Sequence, residues 1–246
     1  MTDIYIKYKI ELDAVKKYIN NEYIYDIFYN YGFNLDNKFI KLDSNINVYE
    51  ACFIAQLINI YINTYKKDEP LRIVEIGLAY GTSALVIINE LIKYKYKKRY
   101  IVIDLNQTEQ WNSIGIKNIY QFLKHMNSNL KTRLIEKYSQ DAMSKLKSKY
   151  DISFIDGSHD EIVVTDDIKH SDRLLIKNGL IIIDDVLHVG VKDAILNFFI
   201  NNKNYTRISI DVKTNKFIKE TKLYSHDLIK QSFFNPKTMY CFQKIN

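Results

Sequence analysis

The chain is poor in the residues that staple, bend or punctuate a fold: two cysteines, two prolines, seven glycines and one tryptophan in 246 residues. Cys52 and Cys241 lie near opposite ends in apolar settings. That spacing supports neither a disulfide framework nor a zinc cluster, and two buried thiols are expected. No apolar run approaches the roughly 18–20 residues of a membrane span, and Met1-Thr2-Asp3-Ile4 is not a basic region leading into a signal core. A cytosolic location is therefore expected. Internal repeats and low-complexity linkers are also missing. What the chain has in abundance is Lys, Ile, Asn and Tyr, the residues of A/T-rich codons, which points to a viral or parasite source and, if viral, to the host cytoplasm. A hydrophobic content of 47% is enough for a buried core. The formal charge of +6 is mild, and part of it sits in Lys93-Tyr94-Lys95-Tyr96-Lys97-Lys98-Arg99. Such a cluster suits phosphate contacts, but it equally suits a helix C-terminus, where the macrodipole favours cations.

Along the chain, residues 1–68 are expected to form a helical cap or lid, and 69–246 a catalytic domain. Ile10, Ala14 and Tyr18, then Tyr23, Ile27 and Tyr31, recur at helical steps up to Gly32. A second amphipathic helix is expected over Val48–Tyr65, with Ala51, Ile54, Ala55, Ile58 and Tyr61 on one face. Asp68-Glu69-Pro70 ends it. From Leu71 the rhythm changes. Leu71–Ile76, Tyr100–Ile103, Arg133–Glu136, Ile152–Ile155 and Leu180–Ile183 read as strands, with helices near 82–94, 112–127, 141–148, 161–176 and 190–201 between and after them. The alternation predicts an α/β fold, a doubly wound and mostly parallel sheet with helices on both faces. Tyr205–Val212 and Thr238–Lys244 are expected to close it as an antiparallel pair.

Ligands of such sheets bind beyond the carboxyl ends of the strands, where the strand order reverses. Glu75 and Gly77 close the first predicted strand, Asp104 the second, Asp156 the fourth and Asp184-Asp185 the fifth, while Asp141 follows the third. Singly, each is an ordinary turn or helix-cap residue. Together they make an acidic rim. Gly77 and Gly81 allow a sharp turn that approaches a ligand closely, and Thr82-Ser83 open a helix with free N–H groups. The spacing Gly-x-x-x-Gly matches neither a dinucleotide fingerprint nor a phosphate loop. Asp104, 23 residues past Gly81, is placed to accept hydrogen bonds from ribose hydroxyls, which indicates an adenosine-containing ligand.

With Glu75-x-Gly77-x-x-x-Gly81, Asp104-Leu105-Asn106-Gln107, Asp141, Phe154-Ile155-Asp156-Gly157-Ser158-His159 and Asn178-Gly179 leading into Asp184-Asp185, the chain resembles class I S-adenosylmethionine-dependent methyltransferases over about residues 45–200. The resemblance is closest to the metal-dependent O-methyltransferase branch with Asp-Gly-Ser-His after strand four. It implies a Rossmann-like domain in which Glu75 and the turn Gly77, Ala79, Tyr80 and Gly81 hold the methionine end of the cofactor. Asp104 with Leu105 would take the ribose, Asp141 the adenine amino group, and Asp156 would border the cofactor. Asn178 stands where the family has a first glycine, at a turn where Asn also tolerates positive φ.

Asp156, Asp184 and Asp185 are candidates to hold Mg²⁺, a hard cation that prefers oxygen and lowers the pKa of a bound hydroxyl. With Asp156 beside it, His159 is the candidate general base, because histidine titrates near neutrality. His188 is its rival. Trp111 is read as a packing residue or a border of the adenine pocket. The expected activity is methylation of a small hydroxylated acceptor, a sugar or a catechol-like compound, by a chain with a possible homodimer surface. The alternatives are an RNA ribose methyltransferase or nucleic-acid-binding protein, and a catalytically silent cofactor-binding partner.

Overall fold

The computed structural model describes residues 46–66, 68–211, 213–220, 233–234, 236 and 238–246. The helices expected before residue 46 lie outside the described residues.

The first described element is α1, Val48–Tyr65. Asn47 starts it through a capping box: its Oδ1 accepts from the Tyr49 and Glu50 amides, and the Asn47 amide donates to Glu50 Oε2 at 2.8 Å. Three otherwise orphaned backbone donors are thereby satisfied. Parallel strands then alternate with helices: β1 Leu71–Ile76, α2 Thr82–Lys93, β2 Lys98–Ile103, α3 Ile114–His125, β3 Thr132–Ile135, α4 Ser139–Lys145, β4 Tyr150–Ile155, α5 Glu161–Leu174, β5 Leu175–Ile183 and α6 Val189–Phe199. The chain closes with β6 Tyr205–Asp211, β7 Lys216–Lys219, β8 Phe233–Phe234 and β9 Tyr240–Lys244. Sheet order is β3-β2-β1-β4-β5-β9-β6-β7, with β8 also on β6. β9 runs antiparallel between β5 and β6, which realises the expected closing pair. This is a Rossmann-like methyltransferase fold.

Two apolar cores flank the sheet. Ile73, Val102, Phe154, Leu180 and Ile182 face one, while Val74, Ile101, Ile103, Ile155, Ile181 and Ile183 face the other. Alternate residues of one strand thus feed opposite layers, which is why the strands read as near-continuous apolar runs.

The division expected at residue 68 does not coincide with a break in the core. Ala51, Phe53, Ile54, Leu57, Ile58 and Tyr61 of α1 are all buried in the same cluster as α2 and the sheet. At about 1.5–3 kcal/mol for each large apolar side chain, that burial fixes α1 firmly against the sheet. Its C-terminal end is tied down by Lys66 Nζ, 2.6 Å from Asp151 Oδ1, and Asp151 Oδ2 accepts from the Arg72 amide at 2.7 Å.

Candidate functional site

Register fixes the site. Ile76 lies level with Ile103 and Ile155, Ile103 with Ile135, and Ile155 with Ile183. The next residues, Gly77, Asp104, Asp156 and Asp184, therefore emerge at one height on the carboxyl edge. Backbone bonds continue past the strands, from the amides of Gly77 to Ile103 O, Asp104 to Ile135 O, Asp156 to Ile76 O and Asp184 to Ile155 O. The order reverses between β1 and β4, so the crevice opens above Gly77 and Asp156.

The turn after β1 is shaped by close backbone approach. Gly77 has φ +91°, and a Cβ there would stand 1.9 Å from the Asp156 carbonyl oxygen. Ala79 also has positive φ, at 44°. Asp104 Oδ2 fastens the loop by accepting from the amides of Leu78 at 2.8 Å and Ala79 at 3.1 Å, and from Gln107 Nε2 at 3.2 Å. Asp104 Oδ1 accepts from the Asn106 amide. That oxygen keeps acceptor capacity for a ligand hydroxyl.

A cleft of about 370 Å³ lies against this turn, of a size suited to a small molecule. Gly77, Ala79, Asp104, Leu105 and Asp156 of the expected cofactor residues line it, together with Trp111, Tyr138, Ser139, Gln140 and Asp167. Other expected contacts are placed elsewhere. Glu75 is fully buried beneath the turn, where Ser83 Oγ donates to Oε1 at 2.5 Å and the Tyr100 hydroxyl donates to Oε2. Burial pushes its carboxyl up to about 8, against the Ser83 bond and with a further push from Asp104. It supports the loop from below. Tyr80 and Gly81 lie off the cleft wall; Tyr80 packs edge-on against Trp111, with centroids 5.1 Å apart. Asp141 is exposed in the first turn of α4 and lies off the wall too, which Ser139 and Gln140 form in its place.

Two acids escaped the sequence reading. Asp167 is fully buried on α5, and burial raises its carboxyl to about 7 against the lowering effect of the Ser139 side chain. The signal was available, because Asp167 interrupts the apolar positions Val164, Ile168 and Leu174 on the buried face of the helix. Glu50, buried in the first turn of α1, receives the Thr238 hydroxyl; burial and the charge of Asp185 raise its carboxyl.

Asp156 also borders a recess with Ser158, His159, Asp184 and Asp185. Burial, then the charges of Asp185, Glu75 and Glu50, hold the Asp156 carboxyl well above the usual carboxylate range; burial, then Asp156 and Glu50, do the same to Asp184. Asp184 Oδ1 is buried without a partner. His159 Nε2 lies 2.8 Å from Asp185 Oδ2, and His188 Nε2 lies 3.9 Å from Asp185 Oδ1. The two imidazoles stack with centroids 3.9 Å apart.

Among the described residues, one group of three residues offers metal-donor atoms all within 4.8 Å of one another, and it is His159, Asp185 and His188. Asp185, at φ +55°, places both carboxylate oxygens near the imidazoles, while Asp156, Asp184 and Asp185 border one recess.

Comparison with known proteins agrees with this architecture. A family model described as a methyltransferase domain, Methyltransf_24, matches residues 74–186, from within β1 through Asp184-Asp185. No curated protein matches the chain at a significant level. Among solved structures, the chain is similar to the O-methyltransferase TomG from Streptomyces achromogenes in complex with SAM, at 11% identity, TM-score 0.56 and 100% of both chains. It is also similar to an O-methyltransferase from Bacillus cereus in complex with SAH, at 13% identity, TM-score 0.55, and 95% of this chain and 96% of that one. A third is the O-methyltransferase NovP, at 13% identity, TM-score 0.56 and 82% of each chain. At such identities these likenesses establish the fold. The matched stretch holds the whole cleft wall, whereas Glu50 and His188 come from flanking segments.

Among the described residues, no helix is long and apolar enough to cross a membrane. Both cysteines are free and buried, as expected. The basic cluster is engaged in structure: Lys93 pairs with Glu90 at 2.6 Å, Lys98 Nζ donates to the Tyr94 carbonyl at 2.7 Å near the end of α2, and Arg99 donates to Ser148 Oγ.

Proposed function

We propose that the domain is an S-adenosylmethionine-dependent O-methyltransferase acting on a small hydroxylated acceptor such as a sugar or catechol-like compound. One observation carries the reading: the cleft at the switch point runs from the Gly77–Asp104 turn to Asp156, Gly157 and Ser158, and the next residue, His159, is held by Asp185.

The residues present fit the cofactor. Asp104 Oδ1 offers an acceptor for the ribose, and Leu105, Ser139 and Gln140 bound the space for the adenine. Gly77 lets the ends of β1 and β4 come together beneath the cleft, and α2 directs its free N–H groups from just beyond the turn. When bound, S-adenosylmethionine supplies an electrophilic methyl group, so that attack by an acceptor oxygen leaves the sulfur with the broken bond's electron pair.

The protein's task is to align that oxygen and remove its proton. Because His159 Nε2 sits on the Asp185 carboxylate, the hydrogen bond assigns its proton to Nε2 and leaves Nδ1 as the basic nitrogen. Asp185 would then steady the imidazolium that forms, the role a carboxylate plays behind a catalytic histidine. Asp156, Asp184 and Asp185, which border one recess beside His159, would hold Mg²⁺, and the ion would supply a lowered pKa at the acceptor hydroxyl.

Calorimetric titration with S-adenosylhomocysteine tests the donor site. The wild type should bind one equivalent and Asp104→Ala should lose at least about ten-fold in affinity, as expected when a charged acceptor worth about 1.5–3 kcal/mol is removed. An Asp104→Ala variant that binds as tightly as wild type would remove Asp104 from the site, and a wild type that binds nothing would remove the donor reading.

A further inference from the structure

The amino edge of the sheet, opposite the cleft, carries a row of cations. Arg72 of β1 lies level with Arg99 of β2, and Arg133 of β3 lies level with Ile101. Val74, Ile101 and Ile135, two positions on from these arginines, pack into the core that holds Tyr150, so by strand alternation the three arginines share the Tyr150 face. Tyr150 opens β4, and the sheet order β3-β2-β1-β4 sets Arg133, Arg99, Arg72 and Tyr150 side by side across about 14 Å. Among the described residues no carboxylate pairs with any of the three arginines. Arg99 donates one guanidinium N–H to Ser148 Oγ at 3.2 Å, which braces it on the loop before β4 and leaves the other donors of its fork for a ligand.

Tyr150 is the second sign of a ligand. It is 1% exposed, yet its hydroxyl has no hydrogen-bond partner. Burial raises that hydroxyl, and the charges of Arg99, Arg133 and Arg72 draw it back, so all three guanidiniums lie within electrostatic reach of it. A buried donor without an acceptor, among three cations, is satisfied by an anionic oxygen. A row suits phosphates in a chain better than a single oxyanion. Lys97 and Lys131, exposed just before β2 and β3, lengthen the row, and Tyr96, 45% exposed beside Lys97, leaves ring surface on which a base can stack. We propose that this edge binds single-stranded nucleic acid through its phosphate backbone, with Arg72, Arg99 and Arg133 on phosphate oxygens and the Tyr150 hydroxyl donating to one of them. The six residues of β1 put the row about 20 Å from the cleft, so the bound segment docks at the edge opposite the chemistry. The inference holds whatever the methyl acceptor is.

The test is fluorescence anisotropy of a labelled single-stranded oligouridylate titrated with the tag-free full chain. With three phosphates contacted, each adding about −0.7 to the slope of log affinity against log salt, raising salt from 50 to 200 mM should weaken wild-type binding about 20-fold. Arg99→Gln and Arg133→Gln, both at exposed positions and checked for unchanged thermal unfolding, should each weaken binding and reduce the slope by about 0.7. Tyr150→Phe should weaken it several-fold with the slope unchanged, because it removes a donor and no charge. Tyr96→Ala should weaken oligouridylate several-fold and leave inorganic polyphosphate unaffected. Lys216→Gln, exposed on β7 at the far end of the sheet, should bind as wild type does. No binding at 50 mM salt, a loss in Lys216→Gln equal to that in Arg133→Gln, or wild-type affinity in Tyr150→Phe would each overturn the site. Wild-type affinity of Tyr96→Ala for oligouridylate would overturn nucleic acid as its occupant. Because no acceptor or methyl donor is involved, a failure here is distinct from a failure to bind S-adenosylhomocysteine.

Discussion

Replacing Gly77 with alanine puts the architecture of the cleft under direct strain. The backbone there has φ +91°, which costs an alanine about 1–2 kcal/mol. The added Cβ would also sit 1.9 Å from the Asp156 carbonyl oxygen and 2.5 Å from its carbon, well inside the 3.0 Å limit that real Cβ atoms respect. Both obstacles are backbone, so no rotamer change relieves them. The ends of β1 and β4 must separate instead, which weakens the bonds from Asp156 N to Ile76 O and from Gly77 N to Ile103 O, each 2.8 Å long. At about 1 kcal/mol for each bond, the total reaches about 3–4 kcal/mol, a large share of the roughly 5–15 kcal/mol that holds a typical domain. Gly157→Ala is the control: its Cβ would meet the Ile76 Cγ2 methyl at 3.1 Å, a contact that a small shift relieves. Equilibrium urea unfolding followed by circular dichroism should show Gly77→Ala losing about 3 kcal/mol or more and Gly157→Ala within about 1 kcal/mol of wild type, at similar m-values. A Gly77→Ala protein as stable as the control would refute this account of the turn.

The buried Glu75 makes stability pH-dependent. Its folded value of about 8 lies above the ordinary 4.5, so its contribution is full below pH 4.5 and is lost as pH rises toward 8, at about 1.4 kcal/mol for each unit traversed. Glu75→Gln should unfold with a flatter pH profile between 5 and 8, and an unchanged slope would place the titration elsewhere. With any hydroxyl acceptor that the protein turns over, His159→Gln should lower kcat by about 10²–10⁴-fold while S-adenosylhomocysteine affinity stays within a few-fold. A variant with wild-type kcat would return the base assignment to His188 or to solvent.

Much of this arrangement was legible because buried parallel strands announce themselves. Leu71–Ile76 is an apolar run that stops at a glycine, and Tyr150–Ile155 and Leu175–Ile183 stop at aspartates, so the carboxyl edge could be located from residue types alone. The helix Val48–Tyr65 was visible from its spacing, but its place was not. Periodicity gives a buried face without saying what covers it, and α1 proved to pack into the central core. The start of β5 was hidden because α5 passes into it without a turn, and Asn178 at φ 63° sits inside the strand as the expected positive-φ position. The short, polar β7 carries no apolar run to mark it. Side-chain direction was beyond reach as well. Asp141 and Asp185 sit where the pattern suggested, yet a helix turn leaves the first exposed off the cleft, and a left-handed backbone turns the second onto two histidines. Asp167 and Glu50 reach the site region from helices, where no strand-end rule would look for them.

The most direct measurement is a crystal structure of the protein with S-adenosylhomocysteine. The account predicts the ligand in the cleft between the ends of β1 and β4, with its ribose hydroxyls on Asp104, its adenine against Leu105, Ser139 and Gln140, and its sulfur directed toward the Asp156–His159 side. Ligand density elsewhere on the molecule, with this cleft filled only by water, would contradict it.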